Sequence, residues 1–176
     1  AIFQSTTDTE VIVHLVAQST QPDLPSRLVD ALRHVVGAYS LLALTEDALI
    51  GVRDPLGVRP LVLGEVHGAP VMASETCALD IMGATFVRDV EPGEMIIVDR
   101  KGMTSLRPFA AERKRFRVFE YIYFARPDSQ VEGRSAYNLR KRLGAELALE
   151  SGVPADVVVP VPDSGVPAAL GYAEEA

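Results

Sequence analysis

Val157, Val158, Val159 and Val161 form a charge-free, β-branched run late in the chain, and few folds accept such a run. Its side chains are stiff and offer no polar face, so it predicts a short strand buried on both sides, as in a parallel sheet. Pro160 lies inside the run and Pro162 closes it, so the strand is expected to stop early and turn sharply. Asp163, Ser164 and Gly165 follow, then 166–175, rich in Ala, Leu and Glu and suited to a helix. Strand, small-residue loop and helix in that order place unpaired N–H groups and a helix N-terminus at the carboxyl end of the strand. Such an end favours anions, and phosphate-bearing ligands above all. The same residues also read as an ordinary N-cap, with Asp163 or Ser164 satisfying the first helical turn.

Upstream the periodicity is different. Asp8 stands as an N-cap candidate before Val11, Ile12, Leu15 and Val16, which are at helical spacing. Ser26 stands likewise before a second helix with the stripe Leu28, Val29, Leu32, Val35 and Val36, stopped by Gly37. From residue 38 the pattern is of hairpins: 38–45 with 48–53, and 59–65 with 70–74 around His67-Gly68. Residues 54–57 form a turn, and 75–82 a short helix with Cys77, Leu79 and Ile81. Strands at 85–90, 95–99 and 103–107 follow, turning at Pro92-Gly93 and Lys101-Gly102. Two helices followed by hairpins predict an antiparallel sheet with helices on its face, the α+β pattern.

Residues 110–117, with Arg113, Lys114, Arg115 and Arg117, read as a solvated connector rather than a phosphate patch. Beyond them the texture is α/β. An aromatic strand is expected at 119–124 and a loop at 127–133. A helix opened by Ser135 then carries Leu139, Leu143 and Leu147 and ends at Gly152. A parallel sheet needs several strand–helix units and one is present, so the chain is expected to be incomplete at both ends.

Of 176 residues 48% are hydrophobic, enough for a real core, and the net charge of −7 argues against nucleic acid or anionic membrane as partners. A single cysteine, Cys77, excludes an internal disulfide framework and fits a reducing, cytoplasmic setting. With three scattered histidines it also gives little basis for a thiolate and imidazole metal cluster.

Residues 3–14 (F-Q-S-T-T-D-T-E-V-I-V-H), 53–61 (R-D-P-L-G-V-R-P-L), 120–129 (E-Y-I-Y-F-A-R-P-D-S) and 159–172 occur in an order that resembles the amidophosphoribosyltransferase family. The R-D-P-x-G-x-R-P string alone also marks other glutamine amidotransferases of the N-terminal-nucleophile class. E-Y-I-Y-F-A-R-P-D-S followed by V-P-D-S-G narrows the likeness to this family. The resemblance implies an α+β N-terminal-nucleophile (class II glutamine amidotransferase) sandwich over 1–112. The start of an α/β type I phosphoribosyltransferase domain would follow over 113–176. It implies that glutamine is hydrolysed and that the ammonia displaces pyrophosphate from phosphoribosyl pyrophosphate, giving phosphoribosylamine for purine synthesis. A homo-oligomer, dimer or tetramer, is part of the same expectation.

The resemblance places the acid that holds the glutamine α-amino group at Asp8, competing with its reading as a helix cap. It places pyrophosphate binding at Asp163, Ser164 and Gly165, with Ser164 also meeting Mg²⁺, and an ammonia-channel aromatic at Tyr123. A core tyrosine is an equal reading of Tyr123. Arg126 is read either as orienting its loop or as an ordinary ion-pair partner. The family nucleophile, an N-terminal cysteine activated by its own amine, is not in this sequence, which begins with Ala1. The Asn-Gly of the oxyanion hole is missing before Asp8, and the acidic substrate motif expected beyond Ala176 is missing too. Cys77 is expected to be a buried structural thiol. One branch of the family carries an iron–sulfur cluster, but Arg117 stands at its first cysteine position, so no cluster is expected. On these grounds the piece alone is expected to be inactive. The competing reading is a degenerate, non-catalytic homologue that binds a phosphorylated metabolite or a partner.

Overall fold

The computed structural model describes residues 3–110 and 112–176. Ala1, Ile2 and Ala111 lie outside these, and with them the first positions of the chain and one position of the basic connector. In chain order the elements are α1 (Glu10–Gln18), α2 (Leu24–Leu32), β1 (Ser40–Leu44), β2 (Ala48–Arg53), β3 (Val62–Val66), β4 (Ala69–Ala73) and α3 (Thr76–Met82). There follow β5 (Thr85–Asp89), β6 (Met95–Asp99), β7 (Gly102–Leu106), a π-helical turn (Glu120–Phe124), β8 (Gln130–Val131), β9 (Arg134–Ser135), α4 (Ala136–Ser151) and α5 (Val166–Glu175). No helix among the described residues is long and apolar enough to cross a membrane. The chain divides into two compact units, Ala1–Val58 with Glu91–Arg115, and Arg59–Val90 with Phe116–Ala176.

In the first unit the strands run in the order β1-β2-β6-β7, all antiparallel. Thr45 Oγ1 accepts from the Ala48 amide at 2.9 Å, closing the first hairpin and fixing Leu44 opposite Leu49. Ile50 and Val52 share one face of β2 and, with Met95, bury against Leu28 and Leu32 of α2 and against Tyr39. Ile12 and Val16 of α1 pack on the same cluster, so both helices use their apolar stripes as expected. Burial, aided by nearby Asp54, pushes the Tyr39 hydroxyl up to about 12.

The ends of these helices differ from the sequence reading. Asp23, not Ser26, caps α2: its carboxylate accepts from the Ser26 amide at 2.8 Å. Pro25 explains the shift, because a proline fits the first helical turn, where its missing N–H costs nothing. The helix ends at Leu32, and Val36 is left fully exposed rather than completing a stripe. Thr9 takes the N-cap place of α1 and makes no side-chain cap bond. Asp8 therefore lies one residue outside the cap.

The turn after β2 is held by a fully buried carboxylate. Asp54 accepts from the amides of Leu56 at 2.9 Å and Val58 at 3.1 Å. Buried Arg53 donates to the Gly57 carbonyl at 3.1 Å. Gly57 is left-handed at φ +60°, and a Cβ there would lie 2.6 Å from the Pro92 ring, so glycine is required twice over.

In the second unit β3 sits between β4 and β5. The hairpins thus sort into two sheets rather than the single one that periodicity alone predicts, because alternation fixes which face is apolar but not which strand lies alongside. His67 and Gly68 both have positive φ, the conformation of a type I′ hairpin turn. Val62, Leu79 and Ala84 form a core beneath β3, and α3 stops at left-handed Gly83.

Two further expectations fail in this unit. Residues 119–124 are not a strand: Glu120–Phe124 form a π-helical turn, closed by the Ala125 amide on the Glu120 carbonyl at 2.9 Å. Aromatic, β-branched texture fits either state over so short a run. The valine run 157–161 forms no strand, and Val157, Val159 and Val161 are 72%, 79% and 80% exposed. No strand among the described residues lies beside it, and without a ladder partner the run has nothing to bury against.

The helix α4 is opened by Ser135 and ends at Gly152 as expected, with the Ser135 hydroxyl accepting from the Asn138 amide. It buries Ala136, Arg140, Gly144 and Ala148, while Leu143 and Leu147 face solvent. Small residues win that face because α5 approaches backbone to backbone. A Cβ at Gly144 would fall onto the Ala168 carbonyl, and one at Gly171 onto the Lys141 carbonyl. Lys141 and Glu174 pair across the crossing at 2.8 Å.

Gly171→Val forces these helices apart and is expected to cost ~1–3 kcal/mol. A lower urea midpoint with an unchanged slope is the expected readout. An unchanged midpoint would show that the helices are not in backbone contact.

Candidate functional site

Within the first unit the N-terminal stretch folds back on α1. Glu10 accepts from the Gln4 amide at 2.6 Å, the Ser5 amide at 2.8 Å and the Ser5 hydroxyl at 2.6 Å. These bonds, led by the Ser5 hydroxyl, hold the Glu10 carboxyl down to about 2. Gln4, Ser5, Thr7, Thr9, Glu10, Val13 and His14 line a shallow hollow of about 460 Å³. His14 brings Nε2 to 3.5 Å from Glu10 and meets the Phe3 ring edge-on. Asp8 lies in the same stretch, exposed, and among the described residues its carboxylate takes no partner. The role of helix cap is thereby removed from Asp8, and its charge is available to a cationic group of a ligand.

Within the second unit the π-helical turn carries Tyr123, which is 65% exposed, so the core-tyrosine reading fails. Tyr121, by contrast, points inward and donates to the Val131 carbonyl at 2.8 Å, and burial raises its pKa. The buried Glu120 carboxylate receives Arg59 at 2.9 Å, and the Arg59 guanidinium lies 4.9 Å from the centre of the Phe124 ring. Arg126 makes a two-pronged pair with Asp128, both contacts at 3.1 Å, and this pairing raises its pKa. It is an exposed local pair, as the plainer reading had it.

Behind the turn lie groups that the sequence did not single out. Glu75, at the N-cap of α3, accepts from the Arg126 amide at 2.8 Å and from the buried Ser129 hydroxyl at 2.7 Å. Thr76 Oγ1 accepts from the Gln130 amide at 2.8 Å. Arg140, only 2% exposed, donates to the carbonyls of Tyr121 and Ala125 at 2.5 and 2.8 Å. Burial lowers the Arg140 pKa, and the charge of Glu75 acts against that. An arginine recurring among alanine and glycine on the inner face of α4 was the available signal. Cys77 is buried as expected, its thiol 3.8 Å from Glu75, which suits a structural role rather than a nucleophile's.

Asp163, Ser164 and Gly165 stand together in the turn before α5, with Gly165 at the N-cap. Asp163 is exposed and the other two are half-buried, so the turn is not sealed in a core. The Pro162–Asp163 peptide is cis. The Gly165 amide is engaged by the Val161 carbonyl at 3.2 Å. Among the described residues the Asp163 and Ser164 amides take no partner, and neither do their side chains. Two of the three positions thus keep unpaired donors beside a helix N-terminus, the arrangement that accepts an oxyanion.

A glutamine amidotransferase domain model matches residues 1–80. The amidophosphoribosyltransferase of Rhizobium etli is 56% identical over 99% of this chain and 36% of its own length. That of Bacillus subtilis is 48% identical over 99% of this chain and 37% of its own. A solved structure of glutamine phosphoribosylpyrophosphate amidotransferase from B. subtilis, complexed with ADP and GMP, superposes with a TM-score of 0.94 at 47% identity. It is covered over 99% of this chain and 38% of that one. The chain spans about a third of the length of the curated relatives it matches. These likenesses place the first part of the chain in the N-terminal-nucleophile glutamine amidotransferase fold.

Because the native Glu10 carboxyl is held down, its bonds stabilise the N-terminal stretch above the ordinary glutamate value and are lost as pH falls toward 2. Amide exchange at Gln4 and Ser5 is expected to be protected at pH 5 and to lose protection by pH 2. Glu10→Gln should weaken protection at pH 5 and make little difference at pH 2. Equal protection across that range would contradict the bonding.

Proposed function

We propose, for a chain that belongs over its whole span with the amidophosphoribosyltransferases, that its protein converts glutamine, phosphoribosyl pyrophosphate and water to phosphoribosylamine, glutamate and pyrophosphate. The observation that carries this reading is the 56% identity to the Rhizobium etli amidophosphoribosyltransferase over 99% of this chain. Residues 1–112 then belong to the glutaminase domain, and 113–176 open a type I phosphoribosyltransferase domain. That reaction is the first committed step of de novo purine synthesis, carried out in the cytoplasm by a dimer or tetramer.

Asp8 serves as anchor for the glutamine α-ammonium, since an exposed carboxylate with no partner among the described residues offers a charge-assisted bond to it. Asp163, Ser164 and Gly165 cradle the pyrophosphate: two unpaired amides and the positive end of α5 meet oxygens whose charge grows as pyrophosphate departs. Mg²⁺ suits the same turn, because the Asp163 carboxylate and Ser164 hydroxyl are hard oxygen donors without partners among the described residues. Bound there, it neutralises charge on the diphosphate. Among the described residues no three acidic, histidine or cysteine side chains converge on one point, which suits an ion that draws its other ligands from phosphate and water. An iron–sulfur cluster does not fit the residues of this chain, which has one cysteine and an arginine at position 117. Tyr123, presented outward on its turn, suits a wall of the path by which ammonia travels.

The test uses the full-length enzyme. Asp8→Asn is expected to raise the KM for glutamine about tenfold or more, as loss of one charged hydrogen bond does. Pyrophosphate release driven by ammonium should stay unchanged. Ser164→Ala is expected to raise the KM for phosphoribosyl pyrophosphate with either nitrogen source. Failure of the wild-type enzyme to release pyrophosphate with glutamine or ammonium would overturn the reading.

A further inference from the structure

The turn Glu120–Phe124 presents an unusual balance of forces. Its front is apolar and open: Ile122, Tyr123 and Phe124 are all exposed. Its back is held by polar groups from two other elements, Arg140 buried and Glu75 half-buried. The Arg140 guanidinium, on α4, grips the carbonyls of Tyr121 and Ala125. The Glu75 carboxylate, before α3, grips the Arg126 amide and the Ser129 hydroxyl, in residues 51 and 54 positions later. Thr76 adds the Gln130 amide.

A hydrophobic contact would secure a turn at lower cost than a buried guanidinium, whose desolvation penalty is large. What a guanidinium and a carboxylate supply instead is direction. Arg140 meets two carbonyls through its planar fork, and Glu75 meets an amide and a hydroxyl through one oxygen. One cation on the carbonyls and one anion on the amide side fix both ends of the segment against rotation. They bury none of its outward side chains.

We infer that Glu75 and Arg140 are positioning residues: by clamping the π-helical turn from behind, they set the orientation of Tyr123 and so control delivery of ammonia between the two half-reactions. The inference rests on the reaction proposed above. Neither residue belongs to the glutamine or pyrophosphate positions assigned above. The clamp therefore bears on transfer and not on the chemistry at either end.

The experiment compares Glu75→Gln, Arg140→Lys and Ser129→Ala in the full-length enzyme, following glutamate and pyrophosphate together. With ammonium as nitrogen source each variant should release pyrophosphate at the wild-type rate. With glutamine, Glu75→Gln and Arg140→Lys should release pyrophosphate about tenfold more slowly, the scale of a small misplacement of a reacting path. Glutamate should then exceed pyrophosphate instead of matching it. Ser129→Ala removes a single hydrogen bond and should show the same excess in weaker form, which keeps the test open if the charged variants do not fold. Two outcomes overturn the inference: glutamate and pyrophosphate released one to one in the folded variants, or all rates falling in the same proportion, as a purely structural role requires. A wild-type enzyme inert with both nitrogen sources would remove the proposed reaction and this inference with it.

Discussion

A carboxylate that never reaches solvent, Asp54, underlies much of what this chain does. A buried charge is tolerable only when its oxygens are satisfied, and here the amides of Leu56 and Val58 satisfy them. Those bonds need the chain to double back within four residues, and that in turn needs left-handed Gly57. One short string, R-D-P-L-G-V-R-P, thus carries a sealed turn at its start. At its end, Arg59 supplies the cation that meets buried Glu120. Few substitutions satisfy both ends.

The motif strings that identify the chain prove to be physical partners within the second unit. Arg59, of the R-D-P string, meets Glu120, of the E-Y-I-Y-F-A-R-P-D-S string. Ser129, at the end of that string, meets Glu75. Polar residues that look like a signature for binding are in these cases largely occupied with one another. Among the described residues Asp8 and the amides and side chains of Asp163 and Ser164 are left open, and Tyr123 is exposed. Unpaired polar groups at a surface are where a ligand gains most, since no internal bond has to break first.

Asp8 shows how a sequence signal can be right about place and wrong about cause. An acid before an apolar helical stripe reads as a cap, but Glu10 reaches back to the preceding amides, and among the described residues the Asp8 carboxylate takes no partner. The leucines of α4 teach a similar lesson: four-residue spacing located the helix, yet Gly144 and Ala148 won the buried face because α5 comes too close for leucine. The P-D-S-G turn was placed correctly, and its helix with it, whereas the strand before it was not.

Local chemistry was enough to settle the hairpin turns, the start of α4 and the small-residue turn before α5. Each depends on backbone preferences carried within a few residues, such as the left-handed pair His67-Gly68 or the capping hydroxyl of Ser135. Tertiary structure alone decided which hairpins share a sheet, that the aromatic run winds into a π-helical turn, and that half-buried Glu75 and buried Arg140 grip it. Those outcomes turn on partners some twenty to fifty residues away, for which a periodic pattern carries no information.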